Sequence, residues 1–117
     1  MFKLLLIIMI AIINYDMGNL QSVANMLEYL NAPAIITSDE SEIRLAEKII
    51  LPGVGSFNQA MANMEKLNLV PIIREEVLKN KKPFLGICLG MQLMADKGYE
   101  GGERDGLSLI EGEIKRF

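Results

Sequence analysis

The sequence places its one cysteine in a glycine-flanked turn, Gly86-Ile87-Cys88-Leu89-Gly90. An apolar run precedes this turn and a helix-forming stretch follows it, which is the layout of a nucleophile elbow. Glycines on both sides allow the tight backbone turn that keeps the reactive side chain exposed. The start of a helix also favours a thiolate over a thiol. The pattern therefore predicts a reactive Cys88, against the alternative of a small apolar side chain buried at a strand end.

A catalytic cysteine normally depends on a histidine, which accepts the thiol proton and holds the thiolate. This sequence contains no histidine. The residues therefore supply a candidate nucleophile without a candidate base. The same absence argues against a zinc site of the usual type, and neither a metal nor another cofactor is expected.

A second glycine-rich turn can meet the elbow. Pro52-Gly53-Val54-Gly55 directly follows an apolar run at 48–51, and open α/β sheets build their sites at the carboxyl ends of their strands. Backbone N–H groups of this turn could join the N–H of Leu89 in binding an oxyanion. By spacing alone, a plain turn remains the simpler interpretation.

Strand and helix patterns alternate along the chain, and they position both turns. Apolar runs predict strands, and apolar residues at helical spacing behind residues that suit an N-cap predict helices. The predicted strands cover 9–14, 34–37, 48–51 and 83–87, with helices at 20–30, 39–47, 57–78 (interrupted at Asn68) and 89–97, and two last β segments at 107–110 and 113–117. The basic run 79–82 is interpreted as a solvated helix end. Strands rich in Ile and Leu, each followed by a helix, predict an α/β fold: an open, mostly parallel sheet with helices on both faces.

Composition limits the possible function classes. Half of the 117 residues are apolar and 23% are charged, which fits one globular domain. A net charge of −3 without a basic stripe argues against a nucleic-acid partner. The apolar run 4–13 is too short to cross a membrane, and no small-x-small cleavage site follows it. A lone cysteine fits the reducing cytoplasm.

The start of the folded domain is expected at Met9. Residues 1–8 are interpreted as an N-terminal extension, because Met9 begins the first predicted strand and can itself serve as the initiator. The folded domain is then expected to cover residues 9–117.

Three segments carry a family resemblance: Asn14-Tyr15-x-x-Gly18-Asn19-Leu20-x-Ser22-Val23, Leu51-Pro52-Gly53-Val54-Gly55-Ser56-Phe57 and Pro83-x-Leu85-Gly86-Ile87-Cys88-Leu89-Gly90-Met91-Gln92. Together they resemble class I (triad-type) glutamine amidotransferases, a flavodoxin-like fold, and among them the glutaminase subunits of imidazole glycerol phosphate synthase. The segments 98–102 and 106–112 extend the resemblance, which covers the chain from Met9 onward.

The resemblance implies a reaction and a partner. Cys88 would attack the side-chain amide of glutamine and form a glutamyl thioester, and ammonia would pass to a separate (β/α)8-barrel synthase subunit in histidine biosynthesis. Leu89 and the backbone of Gly53 and Val54 would form the oxyanion hole, and Gly55 and Gln92 would help to hold the glutamine.

The resemblance also suggests a contact surface for the synthase. Asn14, Tyr15 and Asn19 follow the first strand and are candidate contacts with that partner. The alternative for all three is a capped turn between strand and helix.

One departure from the family is clear. The family's base and orienting carboxylate form a His-x-Glu pair downstream of the cysteine, and this sequence has no histidine. We therefore expect an N-terminal part of such a domain, with the C-terminal part missing, that is a very weak glutaminase alone. Two alternatives stay open: a non-enzymatic interaction remnant, and an amidotransferase subunit of surface-sugar biosynthesis.

Overall fold

The computed structural model describes residues 9–117, so the expected extension at 1–8 lies outside the described residues. Among residues 9–117, four parallel strands form the main sheet, in the order β2-β1-β3-β4. They are β1 (Ile10–Ile13), β2 (Ala34–Thr37), β3 (Lys48–Leu51) and β4 (Phe84–Gly86). The predicted α/β class, an open parallel sheet with helices on both faces, is confirmed.

Helices connect the strands and begin at capped positions. They are α1 (Leu20–Tyr29), α2 (Glu40–Leu45), α3 (Phe57–Lys66), α4 (Leu69–Arg74) and α5 (Leu89–Gln92). The side chains of Asn19, Asp39 and Ser56 accept backbone N–H groups at the starts of α1, α2 and α3. Each cap satisfies a donor that the first helical turn leaves without an intrahelical partner.

The two faces of the sheet are covered unequally. Alternate strand residues such as Ala11, Ile13 and Leu51 pack in the main core with α2, α3 and α4. Ile12 and Ile50 point to the other face, where they join Leu27 of α1 in a smaller core. The larger core therefore lies on the side of α3, the helix that follows the 52–55 turn.

A π turn (Glu75–Lys79) continues α4 and changes the direction of the side chains that follow it. The predicted apolar face runs through Ile72 and Ile73, which are buried, but Leu78 is 37% exposed while Glu76 is only 4% exposed. A turn with i→i+5 bonds contains an extra residue, so the apolar repeat loses its phase.

The interpretation of 79–82 as a solvated helix end is wrong for Lys82. Its ammonium lies 3.0 Å from the Glu76 carboxylate and donates to the carbonyls of Ile43 and Arg44 at the end of α2. Burial alone would raise the pKa of Glu76, but hydrogen bonds from Lys82 and Asn80 and the charges of Lys82 and Arg44 lower it. The buried carboxylate thus stays charged and paired.

The last quarter of the chain differs most from the prediction. Two-residue strands β5 (Lys97–Gly98), β6 (Arg104–Asp105) and β7 (Glu113–Ile114) form a small sheet, ordered β6-β5-β7. The predicted helix 89–97 ends at Gln92, and the predicted strand 107–110 is absent from this part of the structure.

Backbone hydrogen bonds explain why 107–110 is not a strand. Leu107 N–H donates to Leu93 O at 2.7 Å, and Leu109 N–H donates to Met94 O at 2.8 Å. These donors satisfy carbonyls just beyond α5, which a short helix leaves without partners. Arg74 holds the segment from the other side by donating to Leu107 O at 2.6 Å.

Within the described residues, no helix has both the length and the apolar character needed to span a membrane.

Candidate functional site

The elbow (residues 86–90) joins β4 to α5 and exposes Cys88. Cys88 has φ +54° and ψ −117°. A positive φ is uncommon for a residue with a side chain, and a strained backbone of this kind is typical of functional turns. The predicted elbow geometry is therefore present at the predicted residue.

The two flanking glycines are required by close backbone contacts. A Cβ at Gly86 would lie 2.7 Å from the Cα of Met91, and a Cβ at Gly90 would collide with the carbonyl oxygen of Leu51. The elbow thus packs directly on the end of β3. Because both collisions involve backbone, neither can be relieved by a rotating side chain.

The 52–55 loop follows β3 and lies against the elbow. Ile87 N–H donates to Leu51 O at 3.0 Å, and Leu89 N–H donates to Gly53 O at 3.1 Å. Gly53 is buried, whereas Val54 is 62% exposed. The structure therefore brings together the elbow and the loop that the sequence proposed as an oxyanion site.

In this conformation, the orientation of the Gly53–Val54 peptide blocks the predicted oxyanion site. The Leu89 N–H, which is the predicted oxyanion donor, is already occupied by the Gly53 carbonyl. An oxyanion at this N–H has to displace that carbonyl. Rotation of the Gly53–Val54 peptide would do so and would turn the Val54 N–H toward the same point. The role of these donors stays a prediction.

Tyr15 supports the loop from below. Its side chain is fully buried, and its hydroxyl donates to the carbonyl of Pro52 at 2.7 Å. Burial raises the pKa of Tyr15 well above its ordinary value of 10.0. The Tyr15 side chain does not reach the surface of the described chain, which does not favour the predicted contact with a partner chain. Partner contact by Tyr15 stays a prediction.

The other candidate contacts behave as parts of a turn. Asn14 is half-buried, and its Oδ1 accepts the Asp16 N–H at 3.3 Å. Asn19 is exposed, and its Oδ1 caps α1 by accepting the Ser22 N–H at 3.3 Å. Partner contact by these two residues stays a prediction.

The two predicted glutamine contacts lie on different elements. Gln92 is the last residue of α5 and is half-buried. Gly55 is exposed and has φ +114°, which a glycine adopts freely. Their contact with glutamine also stays a prediction. Within residues 9–117, no group of three or more side chains that bind metals comes together.

Sequence reasoning missed the support that Tyr15 and Asn63 give to the site. The Asn63 Nδ2 on α3 donates to the backbone carbonyl of Tyr15 at 3.0 Å. The available signal was the position of Tyr15 directly after a buried strand, because an aromatic residue there can turn inward as easily as outward.

Known proteins similar to this chain match it over the part that contains the elbow and the 52–55 loop. The profile of the class-I glutamine amidotransferase family matches residues 11–102. Imidazole glycerol phosphate synthase subunit HisH 1 of Campylobacter jejuni (strain 81-176) is 50% identical over 109 residues, which is 93% of this chain and 54% of that protein. Imidazole glycerol phosphate synthase subunit HisH of Aquifex aeolicus is 48% identical over 104 residues, 88% of this chain and 50% of that protein. The chain thus spans about half the length of these relatives.

A solved crystal structure of a glutamine amidotransferase has the same fold. It superposes with a TM-score of 0.76 and covers 91% of this chain and 56% of its own. At 17% sequence identity, this likeness bears on the fold alone.

Proposed function

This chain belongs to the class-I glutamine amidotransferase family, and from that premise we propose that it carries the nucleophile and oxyanion parts of a glutaminase site. The observation that carries the proposal is the exposed, strained Cys88 facing the 52–55 loop at the carboxyl edge of the sheet. The exposure of Cys88 disfavours the alternative of a buried apolar side chain.

The proposed reaction is acyl transfer from glutamine. The Cys88 sulfur attacks the carbon of the side-chain amide, and the amide oxygen becomes an oxyanion. The carbon–nitrogen bond then breaks, the nitrogen leaves as ammonia after gaining a proton, and a glutamyl thioester remains. Water hydrolyses this thioester to glutamate and restores the thiol.

The oxyanion is proposed to bind where the Leu89 N–H and the Val54 N–H converge after the Gly53–Val54 peptide turns. Donors fixed in advance stabilise developing charge without reorganising during the reaction. Gly55 and Gln92 are proposed to hold the rest of the glutamine. These 117 residues contain no histidine, so a histidine that accepts the thiol proton is not among them.

The ammonia is proposed to pass to a synthase subunit, as the names of the relatives suggest. The surface beside Cys88 fits a docking site, because Val54 is 62% and Met91 57% exposed. Asn14 and Asn19 lie at the same edge and would complete the contact with a (β/α)8-barrel partner. The reducing cytoplasm, where this pathway would operate, keeps Cys88 as a thiol.

A chloromethyl ketone analogue of L-glutamine tests the proposal. The Cys88 sulfur displaces chloride and forms a carbon–sulfur bond, which mass spectrometry of the intact chain detects. We expect one label per chain, protection by L-glutamine but not by D-glutamine, and no label on Cys88→Ala.

Iodoacetamide is the matched control, because it alkylates an exposed thiol without a glutamine pocket. Equal rates for both reagents, with no protection by L-glutamine, would support the interaction remnant in place of the glutaminase site.

A further inference from the structure

We infer that Tyr15 is a positioning residue: its hydroxyl fixes the Pro52 carbonyl, so that only the Gly53–Val54 peptide has to turn when an oxyanion forms. The inference rests on the proposed function, because it concerns the loop that would bind the oxyanion. Tyr15 itself touches neither the glutamine nor the reacting atoms.

The contacts around Gly53 show how closely Tyr15 holds the loop. The Tyr15 hydroxyl donates to Pro52 O at 2.7 Å. A Cβ at Gly53 would collide with this hydroxyl and lie 3.3 Å from the Tyr15 Cζ, and a Cβ at Gly18 would lie 2.9 Å from the Gly53 Cα. Gly53 is therefore packed between the tyrosine and the Gly18 backbone.

Tyr15 is itself anchored on two sides. Its carbonyl accepts a hydrogen bond from Asn63 on α3 at 3.0 Å, and the preceding residue, Asn14, donates its N–H to Thr37 O at the end of β2 at 2.9 Å. The backbone at residues 14–15 is thus hydrogen-bonded both to α3 and to the end of β2, and it holds the Tyr15 side chain in place. Tyr15 is therefore the fixed residue relative to which the 52–55 loop would move.

These contacts determine which backbone bonds of the 52–55 loop can rotate. The ring of Pro52 fixes its own φ, and its carbonyl is held by Tyr15. The next peptide, Gly53–Val54, is held at the elbow by the Leu89 N–H alone among the backbone hydrogen bonds of the described residues. Because residue 53 is a glycine, its own ψ can change without a side-chain clash, and the φ that changes with it belongs to Val54, which is 62% exposed.

Tyr15→Phe tests the inference, since it removes the hydroxyl and keeps the ring. The probe is the γ-(p-nitrophenyl) ester of L-glutamate: the Cys88 sulfur attacks the γ-carbonyl, the carbon–oxygen bond breaks, and p-nitrophenolate leaves with the electron pair. This acylation passes through an oxyanion, whereas alkylation by iodoacetamide does not. Cys88→Ala gives the background of ester cyclisation.

We expect Tyr15→Phe to slow acylation about tenfold, because a displaced oxyanion donor loses much of its effect, and to leave alkylation unchanged. Tyr29→Phe is the matched control, because Tyr29 is 85% exposed on α1, and it should change neither rate. Asn63→Ala loosens Tyr15 without altering its ring. It should slow acylation about threefold, a smaller loss of positioning.

Three outcomes would overturn the inference. Unchanged acylation in both Tyr15→Phe and Asn63→Ala would show that the hydroxyl does not position the loop. Equal slowing of acylation and alkylation would indicate general loss of structure. If the unmodified chain is acylated no faster than Cys88→Ala, the proposed function fails, and this inference fails with it.

Discussion

The elbow and the 52–55 loop face each other at one edge of the sheet, yet different forces hold them. The elbow is fixed by steric contact: Gly86 and Gly90 pack against backbone and leave no space for a methyl group. The loop is packed closely only at Gly53, and its carbonyls are held by hydrogen bonds from Tyr15 and from the Leu89 N–H. Cys88 therefore has one position, whereas the loop that faces it is proposed to take a second one.

Gly90→Ala tests the steric contact that fixes the elbow, and it has the largest expected effect. The new methyl group would collide with the Leu51 carbonyl, so the elbow or the end of β3 must move. We expect a loss of about 3 kcal/mol in the free energy of unfolding, measured by urea denaturation. Gly102→Ala is the control, because it has φ +125° and open space around it; it should cost only about 1 kcal/mol. Equal losses would show that the contact at Gly90 costs no more than a positive φ in open space and therefore does not fix the elbow.

Tyr15→Phe tests the hydrogen bonds that hold the 52–55 loop. It leaves the buried Pro52 carbonyl without its donor, which should lower the free energy of unfolding by about 2 kcal/mol. Urea denaturation of this variant and of Tyr29→Phe gives the comparison. A loss as large as that of Gly90→Ala would mean that the loop is as tightly fixed as the elbow.

Alkaline pH weakens the support of the 52–55 loop and leaves the elbow unchanged, and it requires no mutation in either turn. Burial raises the pKa of Tyr15 above its ordinary 10.0, so above pH 10 the unfolded chain loses this proton while the folded chain keeps it. Stability from this group is thus complete below pH 10 and falls above it, by at most about 1.4 kcal/mol per pH unit. Unfolding curves of the unmodified chain and of Tyr15→Phe measure the difference, which cancels the contribution of Tyr99, whose pKa is also raised. Parallel pH profiles would contradict the burial of Tyr15.

Cys88→Gly gives the smallest expected effect and tests the strain of the elbow. Glycine adopts φ +54° freely, so this variant should be about 1 kcal/mol more stable than Cys88→Ala in thermal or urea unfolding. Identical stabilities would show that the elbow holds Cys88 without strain.

The same two turns show what the sequence can predict. The elbow was predictable because glycine spacing reports a steric need, and the structure has β2 and β3 at the predicted 34–37 and 48–51. The direction of the Gly53 carbonyl was not predictable, since either orientation of that peptide suits the same residues. The burial of Tyr15 likewise depends on the main core, to which α3, distant in sequence, contributes.

The small sheet was missed for another reason. Its strands have two residues each, which is too short for alternation to leave a pattern. The bonds that place 107–110 join backbone groups, and these are the same for every residue type. The π turn was hidden in a similar way, because apolar spacing assumes a constant helical repeat.

The π turn also determines where the chain tolerates a change of length. Its extra residue sets the angle at which Lys82 meets Glu76 and the end of α2. Deleting one residue from Glu75–Lys79 would rotate the following chain by about 100° relative to α4 and separate this ion pair. One residue inserted at 101–103, an exposed turn, would leave both sheets in register. Natural or engineered length variants should therefore accumulate in that turn and avoid the π turn.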